Sequence, residues 1–176
     1  MSWDQDLLKR TLDFAARAHG EQKTKGLRAP YVVHVVKVAT ELLRVADGSF
    51  DVDFAMQCAL LHDTMEDTGA THAELVAEFS ARVADGVQAL TKDDAVPRHE
   101  RMADALRRIR LQPREVWMVK LADRITNLEP PPGEWSKEKV AEYRAEAQTI
   151  YDALHEAHAG LAARLAEKLA RYGAGG

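Results

Sequence analysis

Apolar residues in this chain recur every three or four positions and nowhere alternate for more than a few residues, a pattern that commits the backbone to helices. Leu7, Leu8, Leu12, Phe14, Ala15 and Ala18 predict a helix over 4–19 that stops at Gly20. The basic loop "GEQKTKGLRAPY" follows, and a second helix is expected from near Val32 through Val36, Ala39, Leu42 and Leu43 to Asp47-Gly48. A third begins after Ser49, carries Phe54, Ala55, Cys58, Leu61 and His62 along one stripe and is expected to end near Gly69. "THAE" has capping-box spacing ahead of Leu75, Val76 and Phe79, and Val83, Val87 and Leu90 continue the period to the polar loop "TKDDAVPRHE". Met102, Leu106 and Ile109 mark another helix, and Pro113 suits the first turn of one running to Leu128. "EPPPGEW" reads as an irregular link before a long last helix over 136–171. The expectation is an all-α fold forming a single domain over 1–176, with a flexible tail at 173–176.

Charge and cysteine usage narrow the function classes. With 24 basic and 28 acidic residues the formal charge is -4, so the basic excess of a general nucleic-acid binder is missing and an anionic ligand must be met by a local patch. The single cysteine, Cys58, cannot form an intramolecular disulfide, and "MSWDQDLLKR" lacks the apolar stretch of a signal peptide. No apolar run approaches the roughly 18 residues that span a bilayer. A cytoplasmic protein without nucleic-acid or membrane partners is expected, with its oligomeric state left open.

One stretch concentrates chemistry. "ALLHDTMEDTGA" sets His62, Asp63, Glu66 and Asp67 directly behind core-forming residues. The adjacent imidazole and carboxylate of His62-Asp63 can offer one nitrogen and one oxygen to a cation if other helices close the coordination sphere. Two further candidates are His34, after "APYVV", and Asp123, in "VKLADRITNL", where apolar neighbours would bury a charge that then needs a partner or a metal. Two imidazoles and two carboxylates without a thiolate suit Mn²⁺, Fe²⁺ or a similar borderline ion better than a structural zinc. Glu66 and Asp67 follow His62 and Asp63 by four residues each, so in a continuous helix they lie one turn further along the same side. There a carboxylate can take a proton from an attacking water, and a second can orient it or protonate a leaving group.

Each piece also has a plainer reading. His62-Asp63 can be a capping pair, Glu66-Asp67 a solvated helix end, His34 a core histidine, and Asp123 a salt-bridge partner of Lys120 or Arg124. Spacing alone does not bring the four together. His155 and His158 read as a solvated helix face and Cys58 as core, while His19, His72 and His99 have no spacing that singles them out.

Three motifs, "HGEQKTKG…PYVVH", "ALLHDTMEDT" and "VKLADRITNL", resemble the hydrolase domain of the RelA/SpoT alarmone enzymes in the HD superfamily. The stretch "GEWSKEKVAEY" is most similar to the single-domain small alarmone hydrolases of the metazoan SpoT-homologue type, and the likeness in motif order covers about residues 5–155. The resemblance implies an HD-domain helical bundle that binds Mn²⁺ and hydrolyses the 3′-pyrophosphate of (p)ppGpp to GDP or GTP and pyrophosphate. It implies His34, His62, Asp63 and Asp123 as metal ligands and Glu66 and Asp67 as the catalytic acidic pair. Lys25, Arg98, Asn127, Lys139 and Tyr143 are implied as substrate-binding positions. Two positions depart from the pattern. Thr24 stands where the family has an arginine that packs on guanine, leaving Lys23 and Arg28 as nearby cations that could replace it, and Val35 stands where a proline follows the first histidine. The runner-up activities are phosphohydrolysis of another nucleotide, such as the 2′-phosphate of NADPH or a nucleoside monophosphate, and nucleotide binding by a regulatory module with a degenerate site.

Overall fold

The computed structural model describes residues 3–24 and 28–173. Among these residues ten α-helices follow one another: α1 Gln5–His19, α2 Val32–Arg44, α3 Val52–Leu61, α4 Thr64–Asp67, α5 His72–Glu78, α6 Ala81–Leu90, α7 Arg101–Arg110, α8 Arg114–Asn127, α9 Lys137–Leu154 and α10 Ala159–Arg171, with a 3₁₀ turn at His155–Ala157. Among the described residues the extended pairing is one isolated antiparallel bridge, Lys23 with Pro30. Lys25 lies outside the described residues, as do positions 174–176 of the expected tail.

α3 is the hub. Every residue from Phe54 to Leu61 is buried, so the single stripe read from the sequence is a helix buried on all sides and apolar except for Gln57, as suits a helix surrounded by others. α2 and α8 pack against α3 and against each other, α1 and α6 cover its remaining sides, and α9 and α10 close over α8. Leu42, Leu60, Leu61, Met118, Leu121 and Ile125 are among the largest fully buried side chains at this junction. The helices that bring their apolar stripes here also bring the ends of α3 and the starts of α2 and α4 to one place.

Where helices stop is set by side chains that replace backbone partners. Asp4 accepts from the N–H of Asp6 and Leu7, Asp51 from Phe54, Ser80 from Val83 and Ser136 from Lys139. The expected capping box forms in full, Thr71 and Glu74 exchanging bonds. Three expected continuities fail. α3 ends at Leu61 rather than near Gly69, because the His62 ring and the Thr64 hydroxyl bond to the carbonyls of Ala59 and Leu61 that a further turn would have used. The period from Val76 to Leu90 divides at Phe79-Ser80, where Ser80 starts α6. The last helix breaks at 155–158, where His158 caps α10 by accepting from the N–H of Gly160 at 3.1 Å. His155 meanwhile stacks on Tyr151 with ring centroids 5.3 Å apart. His155 and His158 thus have local structural tasks, His155 while remaining exposed.

Candidate metal centre and nucleotide site

The bond that ends α3 also aims its last imidazole. His62 Nδ1 lies 2.8 Å from the carbonyl of Ala59, so Nδ1 carries a proton and, in the neutral ring that a cation would require, Nε2 presents the lone pair. That Nε2 is buried, makes no hydrogen bond, and stands 2.9 Å from Asp63 Oδ2 and 3.7 Å from Asp123 Oδ1. His34, in the first turn of α2, directs Nε2 to the same point, 3.4 Å from Asp123 Oδ1 and 3.6 Å from Asp63 Oδ2. Donor atoms of His34, His62 and Asp123 all fall within 4.8 Å of one another, with Asp63 beside them. Ligands held about 2.0–2.2 Å from one cation stand roughly 3 to 3.5 Å apart, so the spacing fits an ion at the centre. The bare, buried Nε2 of His62 is the atom such an ion would complete.

Electrostatics agree. Burial alone would lower the pKa of His62, but Asp63 and Asp123 outweigh it and push it up to about 9. Burial likewise works against the charge on Asp63, which His62 nevertheless holds well below the usual carboxylate range. Asp123 is depressed too, its burial offset by Lys120 and the two histidines. The cluster therefore favours positive charge at its middle and keeps both carboxylates ionised.

Outer partners hold these side chains in place. The Tyr31 hydroxyl donates to Asp63 Oδ2 at 2.6 Å, Lys120 Nζ lies 3.1 Å from Asp123 Oδ2, and Asn127 Nδ2 donates to Asp123 Oδ1 at 2.5 Å. Asp123 thus has the salt bridge its plainer reading proposed, to Lys120, while its other oxygen faces the cluster. Arg124 turns away, its guanidinium 4.5 Å from the centre of the Tyr143 ring and 3.7 Å from Glu146.

Glu66 and Asp67 reach the rim by a different route from the one expected. They sit on the separate α4, not one turn on along α3. Glu66 takes the Lys92 ammonium at 2.6 Å and the Lys92 backbone N–H at 3.0 Å, and Asp67 Oδ2 accepts from Gln22 Nε2 at 2.9 Å. Burial weighs against the charge on Lys92, yet Glu66 raises its pKa, with smaller contributions from Asp63 and Asp123.

The positions expected to meet substrate are less concentrated. Tyr143 is half-buried on α9 against Arg124 and meets Trp135 edge-on at 5.4 Å, while Lys139 lies exposed with its ammonium 4.5 Å from the centre of the Trp135 ring. Arg98 is exposed in the loop between α6 and α7, and no hydrogen bond or ion pair holds its side chain among the described residues. Thr24 spends its hydroxyl inside the loop, accepting from the N–H of Ala29 at 3.1 Å. Val35 is fully buried in α2. Tyr31, Gln22, His19 and Lys92 are the site neighbours that pattern reading missed; for Tyr31 the one available signal was its place three residues before His34 in "PYVVH".

A family model described as an HD domain matches residues 11–162. The guanosine-3′,5′-bis(diphosphate) 3′-pyrophosphohydrolase MESH1 of Danio rerio is 35% identical over 164 residues, 90% of each chain. The protein of the same name from Homo sapiens is 38% identical over 136 residues, 74% of this chain and 75% of that one. A solved structure described as a metazoan ortholog of SpoT that hydrolyzes ppGpp and plays a role in starvation responses superposes with a TM-score of 0.84 at 27% identity, covering 98% of this chain and 99% of that one.

Proposed function

Since this chain belongs to the HD domain family, and within it to the MESH1-type hydrolases, we propose that it hydrolyses the 3′-pyrophosphate of ppGpp or pppGpp to GDP or GTP and pyrophosphate. The observation that carries the reading is the convergence of His34, His62, Asp63 and Asp123 around the bare Nε2 of His62. We assign these four as ligands of Mn²⁺, which the nitrogen and carboxylate donor set suits. When bound, the cation supplies Lewis-acid polarisation of the phosphate and of the attacking water.

The chain's own groups do the rest. Glu66 and Asp67 stand at the rim, one to take the proton of the attacking water while the other orients it. The water oxygen adds to the phosphorus attached to the ribose 3′-oxygen, the bond from that phosphorus to the 3′-oxygen breaks, and the 3′-oxygen leaves with a proton. Lys25, Arg98 and Lys139 supply local positive charge for the phosphates on a chain whose net charge is -4. Asn127, already bonded to Asp123, can turn its remaining amide N–H to ribose or phosphate. Tyr143 offers a ring edge to the nucleoside. The internal use of the Thr24 hydroxyl supports a site whose base contact is made by a residue other than Thr24.

The setting proposed is the cytoplasm, with the chain working as one hydrolase domain on a small nucleotide rather than on nucleic acid or a membrane. No helix among the described residues is long and apolar enough to cross a membrane. The test is a panel of nucleotides incubated with Mn²⁺, with pyrophosphate and orthophosphate measured separately. Pyrophosphate from ppGpp is expected. Orthophosphate from NADPH or a nucleoside monophosphate instead would favour the other phosphohydrolase reading, and binding without turnover would favour a regulatory module.

A further inference from the structure

His19 closes α1 fully inside the protein, 4% exposed, although nothing in the metal chemistry uses it. The chain turns immediately afterwards at Gly20, whose φ of 46° is costly for any side-chain-bearing residue, and the N–H of Gln22 bonds back to the His19 carbonyl at 2.9 Å. This tight turn folds the Gln22 side chain over the imidazole. Gln22 Oε1 lies 2.8 Å from His19 Nδ1, and Gln22 Nε2 lies 2.9 Å from Asp67 Oδ2.

The polarity of this chain of bonds is forced. A carboxylate only accepts, so the amide nitrogen of Gln22 must face Asp67 and its oxygen must face His19; His19 Nδ1 must then be the protonated nitrogen. The other nitrogen, Nε2, is buried with no partner, and the ring lies against Tyr31, 4.6 Å between centroids and tilted by 30°. Tyr31 in turn donates to the ligand Asp63. One buried ring therefore fixes the amide that holds Asp67 and backs the phenol that holds Asp63. A glutamine free to rotate could offer Asp67 either end of its amide, one of which repels it. A glutamine whose oxygen is pinned by His19 offers only the donor.

We infer that His19 and Gln22 are positioning residues that orient the Asp67 carboxylate for the reaction, acting through a one-way relay of hydrogen bonds rather than by touching substrate. This rests on reading Asp67 as a catalytic carboxylate, and it adds two residues outside the ligands and acids to the machinery.

The experiment is a double-mutant cycle on the full chain, with ppGpp and Mn²⁺, measuring kcat, KM, bound Mn²⁺ and thermal stability for Gln22→Ala, Asp67→Asn and the double variant. Gln22 is half-buried on a loop, so truncating it leaves the fold in place. Expected is a fall in kcat of about 10-fold or more for Gln22→Ala, with KM within about 2-fold and Mn²⁺ stoichiometry kept, since misorientation of a reacting group acts on the chemical step. On the Asp67→Asn background the same truncation should cost less than about 2-fold, because effects that pass through one group do not add. His19→Asn, which puts an amide N–H near the position of Nδ1, should keep more of kcat than His19→Leu. Wild-type kcat in Gln22→Ala, or an equal loss in both backgrounds, overturns the inference while leaving the catalytic role of Asp67 standing. Wild-type kcat in Asp67→Asn removes that role itself, and the relay with it.

Discussion

Asp51 offers a quantitative check on how the fold delivers the site, because it begins the helix whose far end presents His62. Its carboxylate does two things at once. One oxygen accepts the N–H of Phe54 at 3.1 Å as the N-cap of α3, and the other takes the Arg82 guanidinium at 2.7 Å. Loss of a carboxylate N-cap costs about 1 kcal/mol. The ion pair is half-exposed on both sides, 43% and 51%, so solvent screening limits it to about 0.2–1 kcal/mol. Asp51→Ala should therefore destabilise by about 1–2 kcal/mol, a fall in Tm of about 2–8 °C for a chain of this size. Asp51→Asn, which keeps the cap and loses the charge, should cost less than half of that. The pH dependence has a definite sign. Burial acts to raise the Asp51 pKa, but the Phe54 N–H and Arg82 outweigh it and leave the folded value below the ordinary 3.8. A depressed carboxylate stabilises the fold above its unfolded pKa and loses that contribution as pH falls through the folded value. The gap between wild type and Asp51→Asn should be full at pH 6–7 and close below about pH 4. Thermal denaturation monitored by circular dichroism from pH 7 to 3 reads both quantities. A gap that is constant with pH, or an Ala variant as stable as the Asn variant, would refute the assignment of cap and ion pair.

Other outcomes follow from the same geometry. His62→Ala or Asp63→Ala should lose bound Mn²⁺ and turnover together, measured by metal analysis and pyrophosphate release, since each deletes a ligand. Glu66→Gln should keep the metal and lose kcat by about 10²-fold, because it removes a proton acceptor and no ligand. Thr24→Arg should lower KM for ppGpp by about 2- to 30-fold with kcat little changed if the loop then stacks a guanidinium on the base; unchanged KM there and in Lys23→Ala and Arg28→Ala means this loop does not read the base. In the core, Gly86→Ala would set a Cβ 3.0 Å from Cys58 Sγ and 3.1 Å from a Val116 methyl, and chemical denaturation should report a loss of about 1–3 kcal/mol.

Helix identity was legible because amphipathic stripes and caps are local: α1, α2, α7 and α8 begin and end within a few residues of where periodicity, Gly20 and Pro113 put them. Helix breaks were not legible. They are made by side chains such as His62, Thr64 and His158 that bond backbone groups only once the packing orients them, and an apolar run reads the same through a break as through a turn. The donor types of the candidate metal centre stand in the motifs as expectations, whereas the meeting point of the side chains depends on three helices, α2, α3 and α8, crossing at one place. The relay through His19 and Gln22 was not legible as a relay: both residues lie in the motif "HGEQKTKG", but nothing local says that Gln22 reaches Asp67, 45 positions further along the chain.

In the proposed reaction a cation at the four-donor centre drives release of the 3′-pyrophosphate. Phosphorus NMR of ppGpp incubated with the purified chain, first with chelator and then with Mn²⁺ added back, tests it most directly. Pyrophosphate and GDP in equal amounts, absent under chelation and restored by Mn²⁺, is the predicted result. Turnover that persists in chelator, or orthophosphate appearing without pyrophosphate, would contradict it.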